Sequence, residues 1–462
     1  MSNKNDTRAM LLQASPWQLV AKLSIPAIIG MVVIGLYNFM DGVYVGQMIG
    51  DNAMGAVSVA YPFTLANTGI STLIGVGSAS ILSRAIGRKD QATIDNIMGN
   101  LIALNLVFSL IIMAVGLVFT KQLVALSGAQ DEILNLAVRY LWIVFVGSLF
   151  VNFAQSSNMI MRGEGLLKQA MLFSAGSAVL NILLDPILIF LLRPYGMGID
   201  GAAYATVLSQ FAYAAVMLWH FSTKSKVVRI HGIGIEKSLL AEIFGVGFSA
   251  MLMQVMMLVQ QTALYNIAAW QGGDTWQIIL GATYRVTAFA FIPLWGLSQG
   301  YQPAVGTNYG AKQYDRVKDI TRVFAIAATL LALLFYLPVM LAPKVILSLF
   351  ITTPSIVEEG AADFRLFFLS FIVLGFWIVI LTLMQALGRA AKASLLVLLR
   401  QLVLYIPAAA LMPHVAGLGV HGVFCAPLLT DAVVLLIAVG MLVSELKQMN
   451  VQKQWKNAND KT

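Results

Sequence analysis

Two carboxylates stand where an apolar chain is least able to carry charge. Asp185 lies in Asn181-Ile-Leu-Leu-Asp185-Pro186-Ile-Leu-Ile-Phe190, and Asp41 interrupts Leu36-Tyr-Asn-Phe-Met-Asp41-Gly-Val-Tyr-Val-Gly46. Each surrounding run is long enough to cross a bilayer. A charged side chain in such a run costs about 2.5 to 3.5 kcal/mol on insertion scales, so it is by default a functional candidate. Two acids enclosed together repel, and one of them can then take up and release a proton. The same oxygens can instead neutralise a dehydrated hard cation such as Na+, which prefers oxygen ligands.

Depth places further oxygens at the same level. With helix boundaries near Gln47, Arg193 and Ile199, a rise of ~1.5 Å per residue puts Asp41, Asp185 and Thr206 roughly 9 to 12 Å below one membrane surface. Asn181 precedes Asp185 by four residues and shares its helix face one turn deeper. The expected ion-coupling set is therefore Asp41, Asn181, Asp185 and Thr206. The purely structural alternative makes Asp41 a helix cap and Asp185 a polar bend before Pro186. It requires two costly carboxylates at matching depth by chance.

The elements that position these residues must be membrane helices. The chain is 59% hydrophobic and 11% charged, with a mean hydropathy of +0.82, far from a soluble domain. Twelve apolar segments run through 17–45, 53–82, 95–120, 133–160, 167–192, 198–222, 237–268, 275–304, 317–343, 356–385, 390–414 and 417–444. Each meets the ~20-residue requirement for a spanning helix. The alternation of a membrane β-barrel is absent. The expected fold is an all-α integral membrane protein.

Basic residues set the orientation. Arg84, Arg88, Lys89, Arg162, Lys168, Lys224, Lys226, Arg229, Lys312, Arg316, Lys318, Arg322, Arg389 and Lys392 fall in even-to-odd loops, and both tails are basic as well. The other loops hold little beyond Lys121, Arg193 and Lys344. The positive-inside rule then puts both termini in the cytoplasm of a multi-pass protein of the cell (inner or plasma) membrane. The net charge of +8 is a topology signal; the polar loop near Thr223 to Lys237 is too short for a nucleic-acid-binding domain. The first segment follows a polar tail and shows no small-residue cleavage pattern, so it is expected to remain. A single cysteine, Cys425, rules out an intramolecular disulfide framework.

The chain repeats itself. At an offset of 223, Tyr61 falls on Tyr284, Gly77 on Gly300, Gly87 on Gly310, Lys89 on Lys312 and Gly165 on Gly388; at 221, Asp200-Gly201 falls on His421-Gly422. Two six-helix halves follow, parallel because six is even, and related by a pseudo-two-fold axis along the membrane normal. The expected division is an N-terminal lobe 1–222, a cytoplasmic linker 223–236, a C-terminal lobe 237–446 and a cytoplasmic tail 447–462.

The Leu36 to Asp41 segment, Gly75-Val-Gly77 leading to Ala85-Ile-Gly87-Arg88, the Asn181 to Pro186 segment and the six-plus-six duplication together resemble the multidrug and toxic compound extrusion (MATE) family. The resemblance covers nearly the whole chain. It implies export of amphipathic, often cationic organic compounds by alternating access, driven by inward flow of protons or Na+, with no cofactor beyond that ion. It also places a bending proline at Pro26, where a static kink is an equal reading. One branch of the family carries an acid in the seventh segment; residues 245–268 here offer only Gln254, Gln260, Gln261 and Asn266. Coupling is therefore expected in the N-terminal half.

In the second half, Asp431 is the deep acid, with Arg285 and Arg400 as prospective partners in a structural ion pair. For substrate, Met253, Met256, Met257, Gln260 and Gln261 recur on neighbouring faces of the seventh segment, with Tyr37, Gln155, Met159 and Tyr284 expected to face them. Thioethers and rings adapt to varied apolar cations. The protein is not expected to be an enzyme: His220, His231, His414 and His421 lack ligand spacing. A lipid-linked oligosaccharide or metabolite flippase of the same superfamily is the alternative, although a pyrophosphate calls for more deep basic residues than Arg285 and Arg400. Partners are expected to be small molecules and the bilayer, and the protein a monomer.

Overall fold

The computed structural model describes residues 4–126, 131–351, 353–415 and 417–459, and helices are the regular elements among them. A chain solvated by lipid has no water to satisfy its amides, so each segment closes its own hydrogen bonds as a helix. The principal elements are α1 Ile25–Met48, α2 Asp51–Arg88, α3 Gln91–Leu126, α4 Asp131–Val146, α5 Ser148–Gly163, α6 Leu167–Leu192, α7 Gly198–Trp219, α8 Lys237–Gly272, α9 Asp274–Gly310, α10 Tyr314–Leu341, α11 Pro354–Phe368, α12 Phe371–Ala386, α13 Ala390–Leu398, α14 Tyr405–Leu411 and α15 His421–Asn459. Among the described residues, eleven spans are long and apolar enough to cross a membrane. A twelfth is the pair formed by α4 and α5, bent by 55° where Gly147 separates them. That matches the twelve segments read from hydropathy.

The chain forms two compact units. One comprises Met1–Met10 and Ile29–Gly247, the other Leu11–Ile28 and Phe248–Thr462. The unit boundaries fall inside α1 and α8, not at the 223–236 segment that the sequence division makes the linker. That segment is folded onto the first unit: the Glu236 amide donates to Asn100 Oδ1 at 2.8 Å, and the Ser225 hydroxyl to Glu164 at 3.3 Å.

Glycines at matching repeat positions make this exchange possible. In the first unit a Cβ on Gly77 would run into the Ile243 carbonyl, so the start of α8 seats directly on α2, where Arg84 also pairs with Glu242. In the second unit a Cβ on Gly300 would meet Ser24. The same neighbourhood is tied by Ser24 Oγ to the Leu297 carbonyl at 3.2 Å, by Asn308 Nδ2 to the Leu11 carbonyl at 2.8 Å and by Arg316 to the Ala14 carbonyl at 2.8 Å.

Repetition extends to the backbone. Lys89 and Lys312 close α2 and α9 with φ of 61° and 58°, the left-handed conformation that side chains disfavour. Gly165 and Gly388 match at 86° and 74°. A polar pair recurs with its chemistry altered. Arg139 of α4 pairs with Asp200 of α7, and Asp363 of α11 lies 2.8 Å from His421 of α15.

Candidate functional site

The four oxygen-bearing residues read from depth meet in the first unit, on α1, α6 and α7. The Asp41 and Asp185 carboxyls lie within hydrogen-bonding reach of each other, a contact that needs one proton between them. Asp185 is fully buried. With its amide oriented to match its neighbours, Asn181 donates from Nδ2 to Asp185 Oδ2 at 3.0 Å and accepts from the Thr206 amide at 3.2 Å. The opposite orientation would turn the amide oxygen toward the carboxylate and leave Nδ2 3.4 Å from the Thr206 hydroxyl. Asn181 thus ties α6 to α7 at the level of the acids.

What closes the site is the packing one turn away. Val45, Ile189 and Ala202 each lie four residues from Asp41, Asp185 and Thr206, and all three are fully buried in one apolar cluster with Leu141, Phe145 and Ile199. Water is excluded on that side. Asp41 Oδ1 and Asp185 Oδ1 are buried without a hydrogen-bond partner. A buried acceptor left unsatisfied costs ~1 to 3 kcal/mol. Pro186 follows Asp185 directly, and its missing amide frees a carbonyl on the turn that carries the acid. The repeat does not duplicate this chemistry, since position 264, matched to Asp41 by the 223 offset, is a fully buried leucine.

In the second unit Asp431 is held by Arg400, whose Nε donates at 2.8 Å and Nη2 at 3.3 Å. The guanidinium also lies 5.0 Å from the Trp377 ring centroid. Arg285, the other prospective partner, forms no ion pair among the described residues. Depth along the membrane normal places it near Asp431, but depth carries no information on which way a side chain faces around its helix.

The nine substrate candidates divide between the units. Gln155 and Met159 are neighbours on α5; Gln155 accepts from Ser71 at 3.4 Å, and Met159 packs against Gly75. The Tyr37 side chain lies outside the described residues. In α8, Met253 is only 2% exposed and is core packing, whereas Met257 is exposed, and Met256 and Gln261 are half-buried. Gln260 is buried close to Tyr284, whose ring is tilted against Tyr265 at 5.8 Å and meets Phe367 edge to face at 5.7 Å, and which lies beside Tyr405. Pro26 lies two residues after the end of the π-helical turn Val20–Ser24, a wide turn that absorbs the missing amide donor. It belongs to the segment packed in the second unit, while Asp41 belongs to the first.

Sequence reasoning passed over Glu164. It lies between α5 and α6, 2% exposed, and one oxygen has no partner. Burial, opposed by the Ser225 hydroxyl and the Val228 amide, pushes its carboxyl up to about 8. It also passed over a polar seam in the first unit, where Asn152 reaches Asn67 and Ser109 at 3.0 Å and Asn105 reaches Ser156 at 2.8 Å. Spacings of four, Asn105 to Ser109 and Asn152 to Ser156, were its signal.

The MatE family model matches residues 26–187 and 278–411, and the first stretch contains Asp41, Asn181 and Asp185. The multidrug export protein MepA of Staphylococcus aureus (strain MRSA252) is 26% identical over 438 residues, 94% of this chain and 95% of that protein. A solved MATE structure in the bent conformation superposes with a TM-score of 0.90 at 25% identity, covering 96% of this chain and 98% of the other. The outward-facing conformation of a multidrug resistance MATE family transporter of the MOP superfamily gives 0.88, also at 25% identity and the same coverage.

Proposed function

As the chain belongs to the MatE family of multi-pass membrane transporters, we propose that it exports amphipathic, often cationic organic compounds across the cell membrane in exchange for protons, with both termini in the cytoplasm. The observation that carries the coupling is the acid pair: two carboxyls in mutual contact, with Asp185 fully buried. Bringing a proton to the pair removes charge from a site sealed by Val45 and Ile189, and releasing it restores repulsion. Either change alters the packing of α1 against α6, which is where binding can do conformational work.

A proton suits the geometry better than Na+. The contact between the Asp41 and Asp185 carboxyls itself calls for a proton, whereas Asn181 can offer either amide atom to the site. The name of the relative MepA and the match along its length support drugs as substrates. Asp431's hold on Arg400 leaves few deep cations for a pyrophosphate and counts against a flippase.

Efflux of a fluorescent organic cation from proteoliposomes, with pH and Na+ gradients imposed separately, tests the proposal. A pH gradient alone is expected to drive accumulation. Response to Na+ alone would replace the proton with the metal ion, and equal movement without any gradient would remove coupling altogether.

A further inference from the structure

The second unit has a groove of about 600 Å3 on its outer face, between α10 and α15 with Phe376 of α12 as its floor. Its two ends differ in chemistry. At one end are Lys318 and Arg322, within the first turns of α10; along the rest run Ile326 and Leu330 of α10 and Leu442 and Leu446 of α15. The basic end is also where the two helices are laced together, by Lys318 to Asn450 and by Lys453 to Asp315 at 2.6 Å. Beyond the lacing the groove opens along the apolar flank. Lys318 and Lys453 are occupied by that lacing. Arg322 is exposed and forms no ion pair among the described residues.

We propose that this groove binds an anionic glycerophospholipid, its phosphate at Arg322 and one acyl chain along Ile326, Leu330, Phe376 and Leu442. A guanidinium matches a phosphate in shape as well as charge. A charged residue some two turns into a membrane helix reaches the headgroup layer while its helix continues into the acyl region. The order of charge and apolar wall along α10 is that of a phospholipid read from head to tail. A free anion would use only the first of these.

Native mass spectrometry of delipidated protein titrated with phosphatidylglycerol, phosphatidylcholine or glycerol 3-phosphate tests the site. Phosphatidylglycerol is expected to be retained in preference to phosphatidylcholine. Arg322→Gln should weaken that retention about tenfold, the loss of one charge-assisted hydrogen bond. Leu330→Trp, which fills the apolar groove at a position 57% exposed, should also abolish the preference with Arg322 intact. Both changes lie on the outer face, so folding is not at stake. Equal retention of the two lipids, or an unchanged preference in either variant, would overturn the proposal. So would competition by glycerol 3-phosphate at the concentration of the lipid, which would mark a site for the phosphate alone.

Discussion

Asn181 Nδ2 lies 3.0 Å from Asp185 Oδ2, one helical turn along α6. A neutral donor, and no lysine or arginine, steadies this buried carboxyl. A guanidinium would have fixed the charge permanently and left no vacancy for a travelling cation. An amide lowers the cost of the charge without cancelling it.

On the proposed mechanism, neutralising either acid removes the requirement for an ion. Asp41→Asn and Asp185→Asn are expected to insert and fold as well as the parent, since loss of an intramembrane charge relieves desolvation. Gradient-driven efflux should fall to the passive leak in both, measured in proteoliposomes against equal amounts of folded protein. Thr206→Ala and Asn181→Ala should shift the dependence on proton concentration more than the choice of substrate. Wild-type accumulation by both acid variants would remove the pair from the mechanism.

Asp431 and Arg400 should behave differently. Asp431→Asn leaves Arg400 buried against Trp377 without its carboxylate, and breaking a buried pair on one side costs about 3 to 5 kcal/mol. The midpoint of unfolding in detergent should drop accordingly, while transport per folded molecule survives. Removing both partners, as Asp431→Leu with Arg400→Met, should recover most of the stability. A stable, inactive Asp431→Asn protein would show that the pair couples transport.

Glu164 makes stability depend on pH. Its carboxyl is raised from 4.5 to about 8 by burial, so the folded protein holds a proton that the unfolded chain gives up. Burying this acid is accordingly a penalty that is absent below about pH 4.5, grows as pH rises, and levels off above about 8. Glu164→Gln should match the parent in thermal unfolding near pH 4.5 and exceed it increasingly up to pH 8. A constant difference across that range would show that Glu164 does not titrate there.

The paired glycines give a third contrast. Gly77→Ala and Gly300→Ala each force a methyl group against the segment seated on them and should cost roughly 1 to 3 kcal/mol of stability. Gly176→Ala, where a Cβ meets nothing within 4 Å, should be neutral or mildly stabilising. Equal unfolding midpoints for all three would mean that the close approaches relax freely.

The two buried acids were legible because a charge in a twenty-residue apolar run announces itself, and Asn181 followed from helical spacing. Thr206 required a second argument, from depth. Arg285 illustrates where that argument stops, because height along a helix says nothing of azimuth. Glu164 looked like an ordinary loop acid beside Arg162 and Lys168, and only the folded 223–236 segment buries it. The exchange of helix ends was equally hidden: the repeat offset identifies Gly77 and Gly300 as a matched pair, but not the backbones that lie against them.

That exchange orders events during synthesis. Residues 11–28 leave the ribosome early, yet the carbonyl of Leu297 and the side chains of Asn308 and Arg316 that hold them are made nearly three hundred residues later. Until then the front of the first membrane helix has lipid for company and no packing partner. The unit holding the acid pair has no such wait, for its last segment ends at Gly247. A chain interrupted soon after that residue would already possess the acid pair, attached to a helix end still waiting for its place.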